Sequence, residues 1–235
     1  MRATIIVRDV ISNTLTKGDT TAVASLSAPI EVRLAAELPS KATFEVLIRP
    51  LTHVPATESK ALAGIIRSSL EPSLILTKNP RSLVQLVVQS LSEARPDVWT
   101  TTLAAAMINA STLAFLNSSS IPMRGIVTAV AVARNRDGFL IADPSNEELE
   151  ETKGIGCFAF MFSGDIQSTG NRSNCIWASW KSLSGAFNEN EVFEARELAR
   201  RKAEEIYKSI RPTIAKKFEM EIGEEDSEDE GEMII

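Results

Sequence analysis

Histidine and cysteine are nearly absent from this sequence, and their scarcity excludes several kinds of active site. The chain has one histidine and two cysteines. A four-ligand zinc site of Cys and His cannot be built from them, and neither can a mechanism that requires two histidines. His53 lies between Pro50 and Pro55, which favours a loop residue over a catalytic base. Cys157 and Cys175 lack a CxxC spacing, and their apolar neighbours indicate buried, unreactive thiols.

Long apolar runs and glycine-rich fingerprints are also absent. No stretch of about 18 uncharged apolar residues occurs, and Arg8 and Asp9 end the apolar residues 5–7 too early for a secretory signal. Neither the dinucleotide-binding glycine pattern nor the P-loop pattern is present, so neither kind of nucleotide site is expected. We therefore expect a soluble intracellular protein with no membrane segment.

Acidic residues are concentrated at the C-terminus. The net charge is -6, yet nine acids and no Lys or Arg lie from Glu219 onward. The remaining 25 basic residues and 22 acids give the rest of the chain about +3, which tolerates a polyanion without indicating a dedicated binder. We expect residues 1–218 to form one domain and residues 219–235 a disordered tail. Ser227, among acids, is a candidate phosphorylation site.

Hydrophobic periodicity predicts an alternation of strands and buried helices. Strands are expected at residues 21–26 and 43–49, paired as a meander, followed by a helix from Thr57 that ends near Pro72. The nearly unbroken apolar residues 83–89 predict a central strand covered on both faces. Residues 100–116 predict a helix that is apolar on almost every face and must therefore be buried.

The second half of the chain continues this pattern. Strands are expected at residues 125–133, 138–142, 156–162 and 174–179, and a helix with one apolar stripe at residues 189–210. The regular alternation of a doubly wound parallel sheet is missing. We predict a single α+β domain in which mixed sheets pack on buried helices.

Several short segments occur in the order found in the RNase PH family. They are Gly18-Asp19-Thr20 with Pro29-Ile30-Glu31, Pro80-Arg81-Ser82, Ile108-Asn109-Ala110 with Ile121-Pro122-Met123, Asp143-Pro144 with Glu147-Glu148, and Gly185-Ala186-Phe187. Each motif is weak alone, but together they span residues 18–210. The chain resembles this family, and its segments 29–31 and 37–46 are most similar to one type of ring subunit of the eukaryotic RNA exosome.

The resemblance implies a fold, an assembly and a substrate. The fold would be RNase PH-like, of the ribosomal protein S5 domain 2 type. Six RNase PH-like subunits would form a hetero-oligomeric ring, with S1/KH cap subunits on one face and a hydrolytic ribonuclease on the other. Single-stranded RNA would pass through the channel for processing and degradation, including ribosomal RNA processing, in the nucleus, nucleolus and cytoplasm. No cofactor is implied.

The chemistry of active relatives has weak support in these residues. Active members hold phosphate with arginine and a Gly/Thr/Arg loop at a helix start, where amides and guanidinium stabilise the anion. Residues 97–104 contain neither Arg nor Gly, and Asp97 would repel phosphate. Active members also carry two aspartates near the turn at Asp143. The second position falls on Leu149, so we expect Asp143 to be a structural relic and the chain to be a non-catalytic subunit.

Three alternatives remain open at the level of sequence. Asp143, Glu147 and Glu148 could hold a metal ion in a hydrolytic nuclease, although helix capping favours a structural role for the glutamates. The chain could also be a phosphorolytic 3' exoribonuclease, or a pure scaffold without RNA contact. The candidates for contact with RNA phosphates are Lys78, Arg81 and Arg95, and Arg81 could equally form a salt bridge.

Overall fold

The computed structural model describes residues 2–7, 20–51, 54, 56–92, 99–163 and 172–229. Its strands are β1 (Arg2–Val7), β2 (Ala22–Glu31), β3 (Thr43–Arg49), β4 (Ser82–Ser90), β5 (Ile126–Arg134), β6 (Leu140–Ala142), β7 (Gly154–Ser163) and β8 (Arg172–Ser182). Its α-helices are α1 (Thr57–Leu70), α2 (Trp99–Ser118), α3 (Asn146–Glu150) and α4 (Glu189–Asp229). The predicted α+β class is confirmed.

The first sheet has the strand order β1-β2-β4-β3. β4 lies at its centre, as predicted, but only its inward residues are buried, while Leu83, Gln85 and Val87 on the other face are partly exposed. The predicted meander is wrong, because β2 pairs with β1 and β4, whereas β3 pairs only with β4 and in parallel. α1 connects β3 to β4, and a crossover of this kind is what a parallel pair requires.

The second sheet is antiparallel and has the order β6-β5-β7-β8. Its strands match the four predicted segments to within a few residues. β6 pairs with β5 only over Arg134 to Val132, so part of that edge of β5 is left without a strand. Asn109 of α2 occupies it, donating to the Ala129 carbonyl at 2.9 Å and accepting from the Ala129 N–H at 2.8 Å.

α2 is the buried helix that its composition predicts. Met107, Ile108 and Ala114 are fully buried, and Phe115 packs edge-on against Phe44 of β3. The same core cluster includes residues of both sheets, so α2 lies between them. A helix without a polar face is stable there because apolar side chains surround it on every side.

α4 covers the outer face of the second sheet. Its stripe of small residues, Ala195, Ala199 and Ala203, packs against Val130 and other apolar residues of β5 and β7. Each alanine is fully buried, which lets the helix backbone approach the sheet closely. The predicted stripe of this helix is therefore confirmed.

The end of α4 differs from the prediction. The helix continues past Ile210 and through Pro212 to Asp229, where a disordered tail had been expected from Glu219. Ala, Lys, Glu and Met are strong helix formers, and they dominate the residues that follow Pro212. Residues 230–235 lie outside the described part, and the division at residue 218 stays a prediction. None of the described helices is both long and apolar enough to cross a membrane.

Candidate functional site

Asp143 lies where β6 ends, in a left-handed backbone conformation with φ of 49°. Its N–H donates to the Ala131 carbonyl at 2.8 Å, which fixes the turn against β5. Asp143 is half-buried, and desolvation raises the pKa of its carboxyl from 3.8 to about 7, against the opposing effects of a backbone hydrogen bond from Ala131 and the Lys202 charge. Near neutral pH the group is therefore partly protonated.

The two glutamates that follow Asp143 form the start of α3. Ser145 accepts a hydrogen bond from the Glu148 N–H, and the Glu148 carboxylate accepts one from the Ser145 N–H at 2.8 Å. This reciprocal pair is a capping box. The capping role expected for Glu148 is confirmed, and its carboxylate is engaged by the backbone. Glu147 is exposed to solvent.

Leu149 is the position at which counting along the motif places the second aspartate of active relatives. It is only 5% exposed and forms a small apolar cluster with Ala133 and Ile155, against which Leu183 packs. An acid could not occupy this site without burying its charge among hydrocarbon side chains. The position therefore contributes to packing in this chain.

A cluster of metal-ligating side chains is absent from the part of the chain that the structure describes. No three His, Cys, Asp or Glu side chains are grouped there so that they could hold a metal ion. His53 lies outside the described residues. Cys157 is buried and Cys175 half-buried, and desolvation raises the pKa of both thiols. Neither thiol is therefore an activated nucleophile.

The expected phosphate region lies at the start of α2. The helix begins at Trp99, so residues 100–104 are helical, whereas Asp97 and Val98 lie outside the described residues. The helix start thus supplies amide dipoles at this position, but its first turn contains no cationic side chain. A guanidinium that could pair with phosphate is missing from residues 97–104.

The RNA-contact candidates have different surroundings. Lys78 is exposed at the end of a short 3-10 turn. Arg81 is also exposed and forms a salt bridge with Glu37, with 3.4 Å between Nε and Oε1, which is the structural role left open for it. Arg95 lies outside the described residues. Ser227 falls within α4, and its modification stays a prediction.

Two features could not be found from sequence patterns. Arg134 and Glu191 form a mostly buried ion pair that ties the end of β5 to the start of α4. A wide groove of about 900 Å³ runs beside β3, lined among others by the cations Arg33, Lys60 and Arg67. Arg134 and Glu191 lie 57 positions apart, and Arg33 lies outside the helix that carries Lys60 and Arg67, so no local spacing indicates either set.

The comparisons with known proteins agree with these observations. Residues 11–122 match the family model described as RNase PH, 3' exoribonuclease family, domain 1. Exosome complex component RRP46 of Saccharomyces cerevisiae is 27% identical over 198 residues, which cover 83% of this chain and 86% of the yeast protein. Exosome complex component Rrp41 of Archaeoglobus fulgidus is 29% identical over 172 residues, 73% of this chain and 60% of the archaeal protein.

The fold has a counterpart among solved structures. The crystal structure of rice (Oryza sativa) Rrp46 superposes with a TM-score of 0.68 and 21% sequence identity, covering 84% of this chain and 85% of the rice chain. The RNase PH-like fold expected from the sequence motifs is thereby confirmed.

Proposed function

Because this chain carries the RNase PH domain of the 3' exoribonuclease family and is similar to RRP46 over most of its length, we propose that it is a non-catalytic subunit of an RNA exosome core ring. Its role as an exosome subunit follows from the RRP46 relatives. Its catalytic silence rests on the geometry around Asp143. In this role it forms part of the wall of an RNA channel and supports 3'-to-5' processing and degradation by other subunits.

The buried state of Leu149 carries the proposal. Phosphorolysis and metal-assisted hydrolysis both need a second group to bind metal or to serve the leaving oxygen beside the first acid. Leu149 provides only hydrocarbon, and its 5% exposure places it in the core. The nearest remaining candidate, Glu148, is held by the capping box. The position that counting assigns to the second acid therefore supplies none.

The phosphate-binding half of the site supports the same proposal. Binding of inorganic phosphate would require cations or a nest of amides directed at the anion. Residues 97–104 have no Arg and no Gly, and Asp97 adds a charge of the wrong sign. Both halves of the reaction centre thus lack groups that the chemistry needs.

The proposed partners follow from the ring. They are other RNase PH-like subunits, S1/KH cap subunits, a hydrolytic ribonuclease and single-stranded RNA. Lys78 and Arg81 are exposed, and side chains of this kind guide RNA by phosphate contacts that do not depend on sequence. The protein would act in the nucleus and cytoplasm, with the nucleolus as the place of ribosomal RNA processing.

One observation favours a second candidate, an active phosphorolytic 3' exoribonuclease. The pKa of Asp143 near 7 is suited to a general acid at neutral pH. The same shift is expected for any desolvated carboxylate, and no three His, Cys, Asp or Glu side chains among the described residues are grouped so that they could hold a metal ion. We therefore favour the silent subunit.

Affinity purification tests membership of the ring. The tagged chain is expressed at native level in its own cells, and the proteins that co-purify are identified by mass spectrometry. We expect five further RNase PH-like subunits in stoichiometric amounts, together with S1/KH proteins. A chain that is recovered as a stable monomer would contradict the proposal.

A further inference from the structure

β8 is a long edge strand of the second sheet. It has 11 residues and pairs only with β7 among the strands that the structure describes. The opposite edge strand, β6, has three residues, which is a common way to limit edge pairing. β8 is much longer, and its centre contains Ile176, Trp177 and Ala178. Its two charged residues, Arg172 and Lys181, lie at its ends, and a register shift against β7 falls at Ile176. A long apolar edge of this kind accepts another strand unless something covers it.

An apolar groove of about 350 Å³ runs along this edge. Its lining includes four consecutive residues of β8, Cys175, Ile176, Trp177 and Ala178. A groove that contacts four consecutive residues of an edge strand lies along that strand. Its far wall is α4, where Phe193 is 56% exposed. The volume accommodates one large apolar side chain.

A cation lies at the rim of the groove, since Arg196 of α4 lines it together with Cys175. Within the described ranges, no carboxylate oxygen lies within ion-pair distance of Arg196, whereas Arg200, one turn later, pairs with Glu197 at 2.6 Å. A guanidinium beside an apolar groove is matched by a ligand that carries both a carboxylate and an apolar side chain.

We propose that the β8 edge docks a neighbouring RNase PH-like ring subunit, which adds a β-strand to this sheet. That strand inserts an aromatic or aliphatic side chain between Trp177 and Phe193 and places a carboxylate against Arg196. The inference rests on the proposed function and names the surface by which this chain contacts its neighbour. Backbone hydrogen bonds supply affinity, and the groove with Arg196 supplies specificity.

A protein strand fits this surface better than RNA. Binding to single-stranded RNA relies on a row of cations that follows the backbone, and this groove has one. Ile176, Ala178 and Val192 offer hydrocarbon contacts, and the free edge of β8 offers backbone donors and acceptors in strand spacing. Both features recognise another polypeptide.

Paired substitutions test the inference in the affinity-purified complex. Phe193→Ser removes the wall of the groove, and Arg196→Glu reverses the charge at its rim. The matched controls are Phe139→Ser, at a phenylalanine that is 70% exposed beside β6, and Arg201→Glu, at an exposed arginine of α4. We expect both groove variants to lower recovery of RNase PH-like subunits at least about tenfold, as for an interface hot spot, and both controls to leave recovery unchanged.

Each other outcome overturns the inference in a distinguishable way. If the wild-type chain recovers RNase PH-like subunits and the groove variants recover them equally well, the inference fails and the proposed function stands. If the wild-type chain recovers none, both fail. If the groove variants keep their subunits but lose RNA from the complex, the groove binds RNA.

Thermal unfolding of the isolated variants checks that each one folds. If Phe193→Ser unfolds, Arg196→Glu, at the surface of a helix, still tests the inference.

Discussion

At the scale of single residues, the carboxyl group of Asp143 makes the stability of the protein depend on pH. Its pKa is raised from 3.8 to about 7 in the folded protein because burial disfavours the charged form. The folded state therefore keeps its proton while the unfolded chain loses it, so stability falls as pH rises from about 4 to about 7 and the loss is constant above that range. Below about pH 4 both states are protonated and the penalty vanishes.

Asp143→Asn should remove this dependence. The amide cannot ionise, yet it keeps an oxygen that can accept the hydrogen bond from Ala131. Relative to the variant, we expect the wild type to lose about 2 to 4 kcal/mol of unfolding free energy between about pH 4 and pH 8, since each unit of pKa is worth about 1.4 kcal/mol. Urea unfolding at a series of pH values measures the difference. Parallel pH profiles for the two proteins would show that Asp143 ionises normally.

Leu149 is expected to reject the acid that active relatives carry there. Leu149→Asp places a carboxylate among Ala133, Ile155 and Leu183, which offer it no donor, and should lower the unfolding free energy by at least about 3 kcal/mol. The control Leu149→Met keeps the volume and should cost less than about 1.5 kcal/mol. Both are measured by urea unfolding. An aspartate variant as stable as the wild type would mean that this site is open and could serve catalysis.

Sequence reasoning identified this candidate site because the site is local. Asp143, Glu148 and Leu149 lie within a few positions of one another, so a motif and simple counting place them together, and the capping box has its own sequence signature. Arg134 and Glu191 are 57 positions apart. Likewise, Cys175 and Arg196 line one groove only because α4 covers the sheet to which β8 belongs. No spacing in the chain indicates contacts of that kind.

At the scale of elements, two glycines differ in the space that a side chain would have. A Cβ on Gly156 of β7 would strike the Ser179 carbonyl oxygen of β8 and lie 2.5 Å from the Trp180 ring, whereas a Cβ on Gly64 of α1 would meet nothing within 4 Å. We expect Gly156→Ala to cost about 2 kcal/mol or more, because β7 and β8 must separate.

Gly64→Ala is the matched control for that substitution. Alanine is the better helix former, so it should stabilise the protein by about 0.5 to 1 kcal/mol. Thermal or urea unfolding of the two variants gives the sign of each change. If both substitutions stabilised the protein, the close pairing of β7 with β8 would be wrong.

Element types were predictable from sequence, while their pairing was not. Periodicity located β4, α2 and the stripe of α4, since each pattern reports the faces that its own element buries. The pairing of β3 in parallel with β4 depends on where α1 returns the chain, which no alternation within β3 reveals. The continuation of α4 past Pro212 was missed because acidic composition was interpreted as disorder, although most of those residues favour helix.

At the scale of the whole molecule, the fold places its sites on different layers. α2 is buried between two sheets, α4 covers the second sheet, and β8 forms an edge of that sheet among the described strands. Asp143 lies at the end of β6, on the opposite edge of that sheet from β8. Under the proposed function, the chain keeps the RNase PH-like fold to complete a ring and leaves the chemistry to other subunits.

A decay assay on 3'-labelled RNA tests the central claim most directly. It compares the purified chain and the complex isolated with it, each with phosphate, with Mg²⁺ and with neither, for the wild type and for Asp143→Asn. We predict no decay by the chain alone and the same decay by complexes that contain either form. Phosphate-dependent release of nucleoside diphosphates by the chain, abolished by Asp143→Asn, would contradict the account and show that the chain is an enzyme.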